Sequence, residues 1–200
     1  MARPLGTKKF GLKYLNDEEL KQFFKTVDRS KDRRDILLFR LVLFLGLRVS
    51  ECSQVELKDL NLESHQIRIQ ALKNGRSRTY DLNGRLSERL NAYLKQRNKK
   101  ADRKNPYLFP HPRRWDESIS SQVVKYRFKV YAEKAGLNSD FSVHSLRHSC
   151  GITHARNGKS AIEVMIWLRH RSINSTQIYF EQIVFENQAQ ESAEIFAAYL

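Results

Sequence analysis

Residues 142–180 read SVHSLRHSCGITHARNGKSAIEVMIWLRHRSINSTQIYF, and the rest of the chain is organised around them. His144 and Arg147 are spaced i and i+3, so on a helix they share a face. His170 follows a helical pattern ending at Leu168. Asn174 is placed to cap a short helix that carries Thr176 and Tyr179 one turn apart. These positions describe a cationic, imidazole-rich cradle beside a phenol. Attack on a phosphodiester needs such groups, whereas binding a carboxylate needs neither so many cations nor the tyrosine.

Upstream of this stretch the periodicity is helical, then strand-like, then helical again. Asn16 followed by Asp17, Glu18 and Glu19 reads as a helix start, with the acids complementing the dipole; that helix runs to about Val27. A second begins near Asp32 and carries the dense apolar stripe Ile36, Leu37, Phe39, Leu41, Val42, Phe44 and Leu45, which argues burial on most sides. Gly46 ends it, and Ser50 with Glu51 is expected to cap a third helix through about Leu57. The period then changes: Leu60-Asn61-Leu62, Ile67-Arg68-Ile69 and Thr79-Tyr80-Asp81-Leu82 alternate as strands, separated by turn signals at 63–66 and at Asn74-Gly75. Further helices are predicted at about 84–97, 119–135, 144–156, 160–168, 175–182 and 187–198. The fold class is α+β, mainly α, with one small three-stranded antiparallel sheet.

Of the 200 residues, 36 are Lys or Arg and 22 are Asp or Glu, a net charge of +14, and 40% are hydrophobic. That hydrophobic fraction supports a folded core and argues against disorder. The charge surplus points to nucleic acid as the leading partner, because neutralising phosphates releases counterions. No apolar run reaches the ~18 residues of a membrane span, no secretory signal pattern opens the chain, and two cysteines, Cys52 and Cys150, form no disulfide framework and read as reduced core residues. The expected location is the cytoplasm.

Each candidate site residue also has a plainer reading. Arg48, in Gly46-Leu47-Arg48-Val49-Ser50-Glu51, can clamp two phosphate oxygens or simply bridge to Glu51. Lys73, between the second and third strands, is either a solvated turn lysine or a group that reaches a DNA groove and protonates a departing sugar oxygen. Arg76 and Arg78, together with Lys8 and Lys9 in a basic arm at residues 1–14, fit phosphate contacts that set position. His144 serves as acid, base or donor near neutral pH. His148, four residues on, has a spacing that could hold zinc, but no H-E-x-x-H and no cysteine pair supports a metal site. His65 and His111 read as surface residues, and His154 as packed or solvated. Tyr179 would ordinarily be core, and a phenol of pKa about 10 becomes a nucleophile only beside a base or cations.

The order Arg, Lys, His-x-x-Arg, His, Tyr resembles the catalytic domain of the tyrosine site-specific recombinases, the phage integrase family. The motif around Arg48 looks like the family's first arginine motif, and Lys73-Asn74-Gly75-Arg76-Ser77-Arg78 like its hairpin lysine motif. His144-Ser145-Leu146-Arg147-His148-Ser149 looks like H-x-L-R-H-[ST]. Leu168-Arg169-His170 with Thr176 and Tyr179 looks like L-G-H…T-x-x-Y. Arg169 stands where the family usually has glycine. The resemblance covers roughly residues 15–185, with residues 186–200 expected as a C-terminal helix that packs on its own core or docks on a neighbouring subunit. About 15 residues precede the domain, where the family usually carries a DNA-clamping helical domain; that layout is similar to the small fimbrial inversion recombinases. The resemblance implies a tyrosine-recombinase catalytic fold. It also implies attack by Tyr179 to form a 3′-phosphotyrosine, transition-state stabilisation by Arg48 and Arg147, and Lys73 as general acid. His144 would assist proton transfer, and His170 would hydrogen-bond the phosphate. It implies no metal or cofactor, and a homo-oligomer, a tetramer, on DNA. Rival readings are a type IB topoisomerase-like enzyme, a catalytically idle DNA-binding regulator and, remotely, a zinc hydrolase.

Overall fold

The computed structural model describes residues 12–70, 77–100, 105–111, 114 and 116–197. Among the described residues eight α-helices and three strands follow one another: α1 (Asp17–Arg29), α2 (Arg33–Leu45), α3 (Val49–Ser53), β1 (Leu60–Asn61), β2 (Gln66–Ile69), β3 (Arg78–Asp81), α4 (Gly84–Lys100), α5 (Ser121–Lys134), α6 (Val143–Arg156), α7 (Ala161–Trp167) and α8 (Asn174–Phe196).

Helix α2 is the structural centre. Its residues Leu37, Leu38, Phe39, Leu41, Val42 and Leu45 are all buried, which accounts for an apolar stripe too broad for a surface helix, and it packs against α1, α3, α4 and α6. At its start the Asp32 side chain accepts from the backbone N–H groups of Arg34 and Asp35. At its end Gly46 takes the left-handed conformation, φ 56°. A side chain there would also collide with Leu168 Cδ2, so glycine is required on both counts. The aromatic core joins α1, α2 and α5: the Phe23 ring lies 5.5 Å from Phe39 and 5.0 Å from Phe128, and Phe39 lies 5.8 Å from Tyr131.

The sheet is antiparallel with order β1-β2-β3. Ile67 pairs with Tyr80, and Ile69 with Arg78. The alternation turns Ile67, Ile69 and Tyr80 toward the core, as the period of two requires. The three-stranded sheet foreseen from sequence is therefore present, within a mainly helical domain.

Four local expectations are corrected. Helix α3 is capped at Arg48 and ends at Ser53; Glu51 reaches back to the Arg48 N–H at 2.8 Å, so the acid closes the first turn from within. The 175–182 and 187–198 helices are one helix, α8, of 23 residues, since no glycine or proline interrupts the chain between them. Its cap is Ile173, with Asn174 already helical and its N–H donated to Ser172 Oγ at 3.3 Å. Lastly, the basic arm does not extend to residue 14. Tyr14 and Leu15 are buried, and Ser149 Oγ both accepts from the Leu15 N–H and donates to its carbonyl, each at 2.8 Å.

Both cysteines are free and buried. No helix of the described residues is long and apolar enough to cross a membrane. Phe39→Ala removes a ring packed on three others, so the substitution should lower the free energy of unfolding by about 3–5 kcal/mol in a urea titration with an unchanged m value.

Candidate active site

Four elements meet at the site. The turn after α2 and the start of α3 supply Arg48 and Glu51, α6 supplies His144, Arg147 and His148, the turn after α7 supplies Arg169 and His170, and α8 supplies Thr176 and Tyr179. A second, smaller core of Tyr14, Cys150, Ile152, Val164, Leu168 and Tyr179 holds α6, α7 and α8 together beneath these groups.

Arg147 is almost wholly buried. It donates to the Gly46 carbonyl and, at 2.6 Å, to the Leu168 carbonyl, so two backbone carbonyls fix the plane of its guanidinium. Burial, reinforced by the neighbouring Arg48 charge, brings its pKa down to about 10. The Arg48 side chain remains 41% exposed and pairs with Glu51 Oε1 at 2.8 Å. Both arginines act electrostatically on His144, His170 and Tyr179. Arg48, Arg147, His144, His170 and Tyr179 are thus close enough to act on one another.

Tyr179 is 1% exposed. Its ring stacks on His170, with centroids 6.2 Å apart and an angle of 16° between the planes. It lies over α6 at Gly151, where a Cβ would come within 2.6 Å of Cε2 and Cζ of the phenol; the missing side chain is what admits the ring. Burial pushes the phenol up to about 12, against the pull of Arg147 and Arg48, so it is protonated at neutral pH and needs a base to react. The nearest base is His148, whose Nδ1 lies 3.3 Å from Tyr179 Oη. His144 lies behind it, ring centroids 4.4 Å apart. Sequence reasoning weighed His148 only as a zinc ligand; the signal that favours it is its i+4 position from His144, which puts both rings on the face turned to α8.

His170 Nδ1 is 2.8 Å from Thr176 Oγ1, and Thr176 is fully buried, so a short hydroxyl at the start of α8 sets the imidazole's orientation. Arg169 adopts φ 57°, a left-handed backbone that glycine occupies freely and arginine does not. Its side chain turns inward, 4% exposed, and its Nη2 meets Glu51 Oε2 at 2.7 Å.

Other candidates lie apart. The Arg78 guanidinium sits 5.3 Å from the ring centroids of both Tyr80 and Trp167. His154 packs on Trp167 at 4.6 Å, and His65 is exposed. Lys73, Arg76, Lys8 and Lys9 lie outside the described residues. Among the described residues no group of three or more His, Cys, Asp or Glu is arranged to hold a metal.

The phage integrase family profile matches residues 13–183, most of the chain, and the chain belongs to that family. It is 32% identical over 168 residues to the tyrosine recombinase XerA of Pyrococcus furiosus, covering 84% of this chain and 56% of that one. It is 33% identical over 164 residues to the tyrosine recombinase XerC of Herpetosiphon aurantiacus, covering 81% and 52%. Among solved structures, the XerA recombinase superposes with a TM-score of 0.76 at 25% identity, covering 93% of this chain and 64% of that one. The XerH site-specific recombinase bound to palindromic difH substrate, a post-cleavage complex, also superposes with a TM-score of 0.76, at 27% identity, covering 92% and 52%. The chain thus spans about half the length of the curated relatives quoted. Its fold is that of a tyrosine recombinase catalytic domain.

Burial and the surrounding cations also push His148 and His170 down to about 3. The unfolded chain takes up protons on both rings near pH 6.5, the native chain only near 3. Stability therefore rises with pH across that window and is lost as pH falls below about 6.5. Urea unfolding of the DNA-free protein should show a loss of roughly 2 kcal/mol between pH 7.5 and 5.5; a flat profile to pH 4.5 would mean that these rings sit in water.

Proposed function

We propose that the chain is the catalytic domain of a site-specific DNA recombinase that breaks and rejoins strands through a 3′-phosphotyrosine, in the integration, excision or inversion of a DNA segment. The observation that carries this reading is the convergence of Tyr179, His148, His170, Arg48 and Arg147 from four separated parts of the chain. Their family membership and the DNA-bound XerH neighbour support the same choice.

In the proposed step Tyr179 Oη attacks the scissile phosphorus. The Oη–P bond forms and the bond from phosphorus to the 5′ oxygen breaks. His148 accepts the phenolic proton; the phosphate's negative charge raises the basicity of this imidazole when DNA arrives. That role passes from His144, where the resemblance placed it, to His148 on grounds of distance. His144 then links His148 toward solvent. Arg48 and Arg147 hold the non-bridging oxygens, and their charge, fixed before DNA binds, stabilises the pentavalent transition state without reorganisation. His170 donates to the same oxygens. Lys73 is proposed to protonate the departing 5′ oxygen, and Arg76, Arg78, Lys8 and Lys9 to contact phosphates that set register. A 5′ hydroxyl of the other strand then attacks the phosphotyrosine, restores a phosphodiester and frees the phenol. The net bond count is unchanged, so no external energy source is consumed. The work is done on double-stranded DNA in the cytoplasm, by several copies of the chain arranged as a tetramer. The far end of α8, where Ile195 is 65% exposed, is the proposed contact with a neighbouring copy.

The test is a nicked duplex built from the DNA that flanks the coding sequence, on which cleavage releases a short fragment and traps the adduct. The wild-type protein should form a covalent protein–DNA band. Tyr179→Phe should form none while retaining DNA affinity within about threefold, since it removes only the nucleophile. An adduct that persists in Tyr179→Phe would end this mechanism, and a wild-type protein that binds DNA yet never forms an adduct would leave a DNA-binding regulator. Relaxation of supercoiled DNA lacking a recombination site would instead indicate a topoisomerase.

A further inference from the structure

We propose that Arg169 is a positioning residue for strand cleavage: it takes up Oε2 of the Glu51 carboxylate from the interior side and so keeps Arg147 from pairing with that oxygen and leaves its charge to the phosphate. This rests on the reading of the site as a phosphodiester-cleaving centre.

Arg169 combines two conditions that side chains avoid. Its backbone is left-handed, which disfavours any residue with a Cβ, and its charge is withdrawn from water, which is unfavourable unless fully compensated. The compensation is extensive. Nη2 pairs with Glu51 Oε2 at 2.7 Å and Nε with Oε1 at 3.5 Å. Further bonds go to the carbonyls of Leu45 at 3.2 Å, Gly46 at 3.2 Å and Trp167 at 3.1 Å, and to the Tyr80 hydroxyl. A side chain on a left-handed turn next to His170 could have reached solvent; this one is drawn to a single buried carboxylate.

The distances show what that achieves. Glu51 Oε2 lies 2.7 Å from Arg169 but 3.7 Å from Arg147. The interior arginine holds the near position on that oxygen, and Arg147 is kept beyond hydrogen-bonding range of it. Three guanidinium charges against one carboxylate leave two net positive charges around Glu51. Without Arg169 only one remains, and Glu51 Oε2 becomes free to draw Arg147 inward from 3.7 Å. The reaction then loses positive charge at the place where the transition state gains negative charge.

The test measures single-turnover adduct formation on the same nicked duplex, with DNA affinity and thermal unfolding in parallel. Arg169→Met should slow adduct formation by about 30-fold with affinity held within about threefold, because fixed charge acts mainly on the transition state. Arg169→Gly suits the left-handed backbone and lacks the cation, so it should be as slow as Arg169→Met even where Met unsettles the fold. Adding Glu51→Gln to Arg169→Met removes the unbalanced carboxylate and should recover about tenfold of the lost rate; a role in packing alone predicts further loss. A wild-type rate in Arg169→Gly, or a double variant slower than Arg169→Met, would overturn the proposal. Absence of any adduct with the wild-type protein would overturn the cleavage reading itself, an outcome distinct from either of these.

Discussion

The carboxylate of Glu51 is the interaction on which the site depends. It is buried and has guanidinium groups around it: Arg48 at 2.8 Å, Arg169 at 2.7 Å and Arg147 at 3.7 Å. It also accepts from the Arg48 backbone N–H. Burial alone would raise its pKa, but the bond from Arg169 and the surrounding cations outweigh burial and hold it below the ordinary carboxylate range. An isolated buried charge is among the least favourable features a fold can contain, and an ion cluster is tolerated only where hydrogen bonds are complete. This cluster satisfies that condition by recruiting carbonyls from the end of α2 and the end of α7. The same bonds that neutralise it lock those two elements against each other.

Geometry follows from that lock. Gly46 turns the chain left-handedly so that Arg48 emerges beside Glu51, and the glycine's lack of a side chain lets Leu168 close over it. Arg147 is braced by the carbonyls of both turns. The sheet is tied in by Tyr80, whose hydroxyl donates to the Trp167 carbonyl at 2.5 Å and accepts from Arg169, and whose ring packs on Trp167 at 5.1 Å. Preorganisation here means that the dipoles and charges facing the phenol are already oriented in the absence of DNA.

Much of this was legible in the sequence, for identifiable reasons. The strands declare themselves by alternation, and α2 by a stripe too apolar for a surface. His144 and Arg147 share a face because helical spacing leaves no alternative. What was illegible depends on long-range choices. Arg169 stands out in the sequence only as a departure from the L-G-H pattern; its destination is a carboxylate 118 residues earlier in the chain, which no periodicity encodes. That His148, and not His144, meets the phenol depends on how α8 lies across α6. The burial of residues 14 and 15 was hidden by the basic residues around them, although an apolar pair directly before the Asn16 cap is itself a helix-entry signal. The unbroken α8 was missed because its polar and apolar residues change pattern near residue 183 without any residue that stops a helix.

Continuity of α8 has a mechanical meaning. Midway along it Glu186 is clasped by Arg156 at 2.6 Å and by the Tyr14 hydroxyl at 2.5 Å, which makes a fulcrum. At 1.5 Å per residue, Tyr179 lies about 10 Å to one side of that point and Ile195 about 13 Å to the other. A stiff rod held near its middle tilts as a unit, so whatever grips the outer arm shifts the nucleophile on the inner arm by a comparable distance in the opposite sense. A displacement of the outer arm reaches Tyr179 in this way from more than 20 Å away without touching the chemistry.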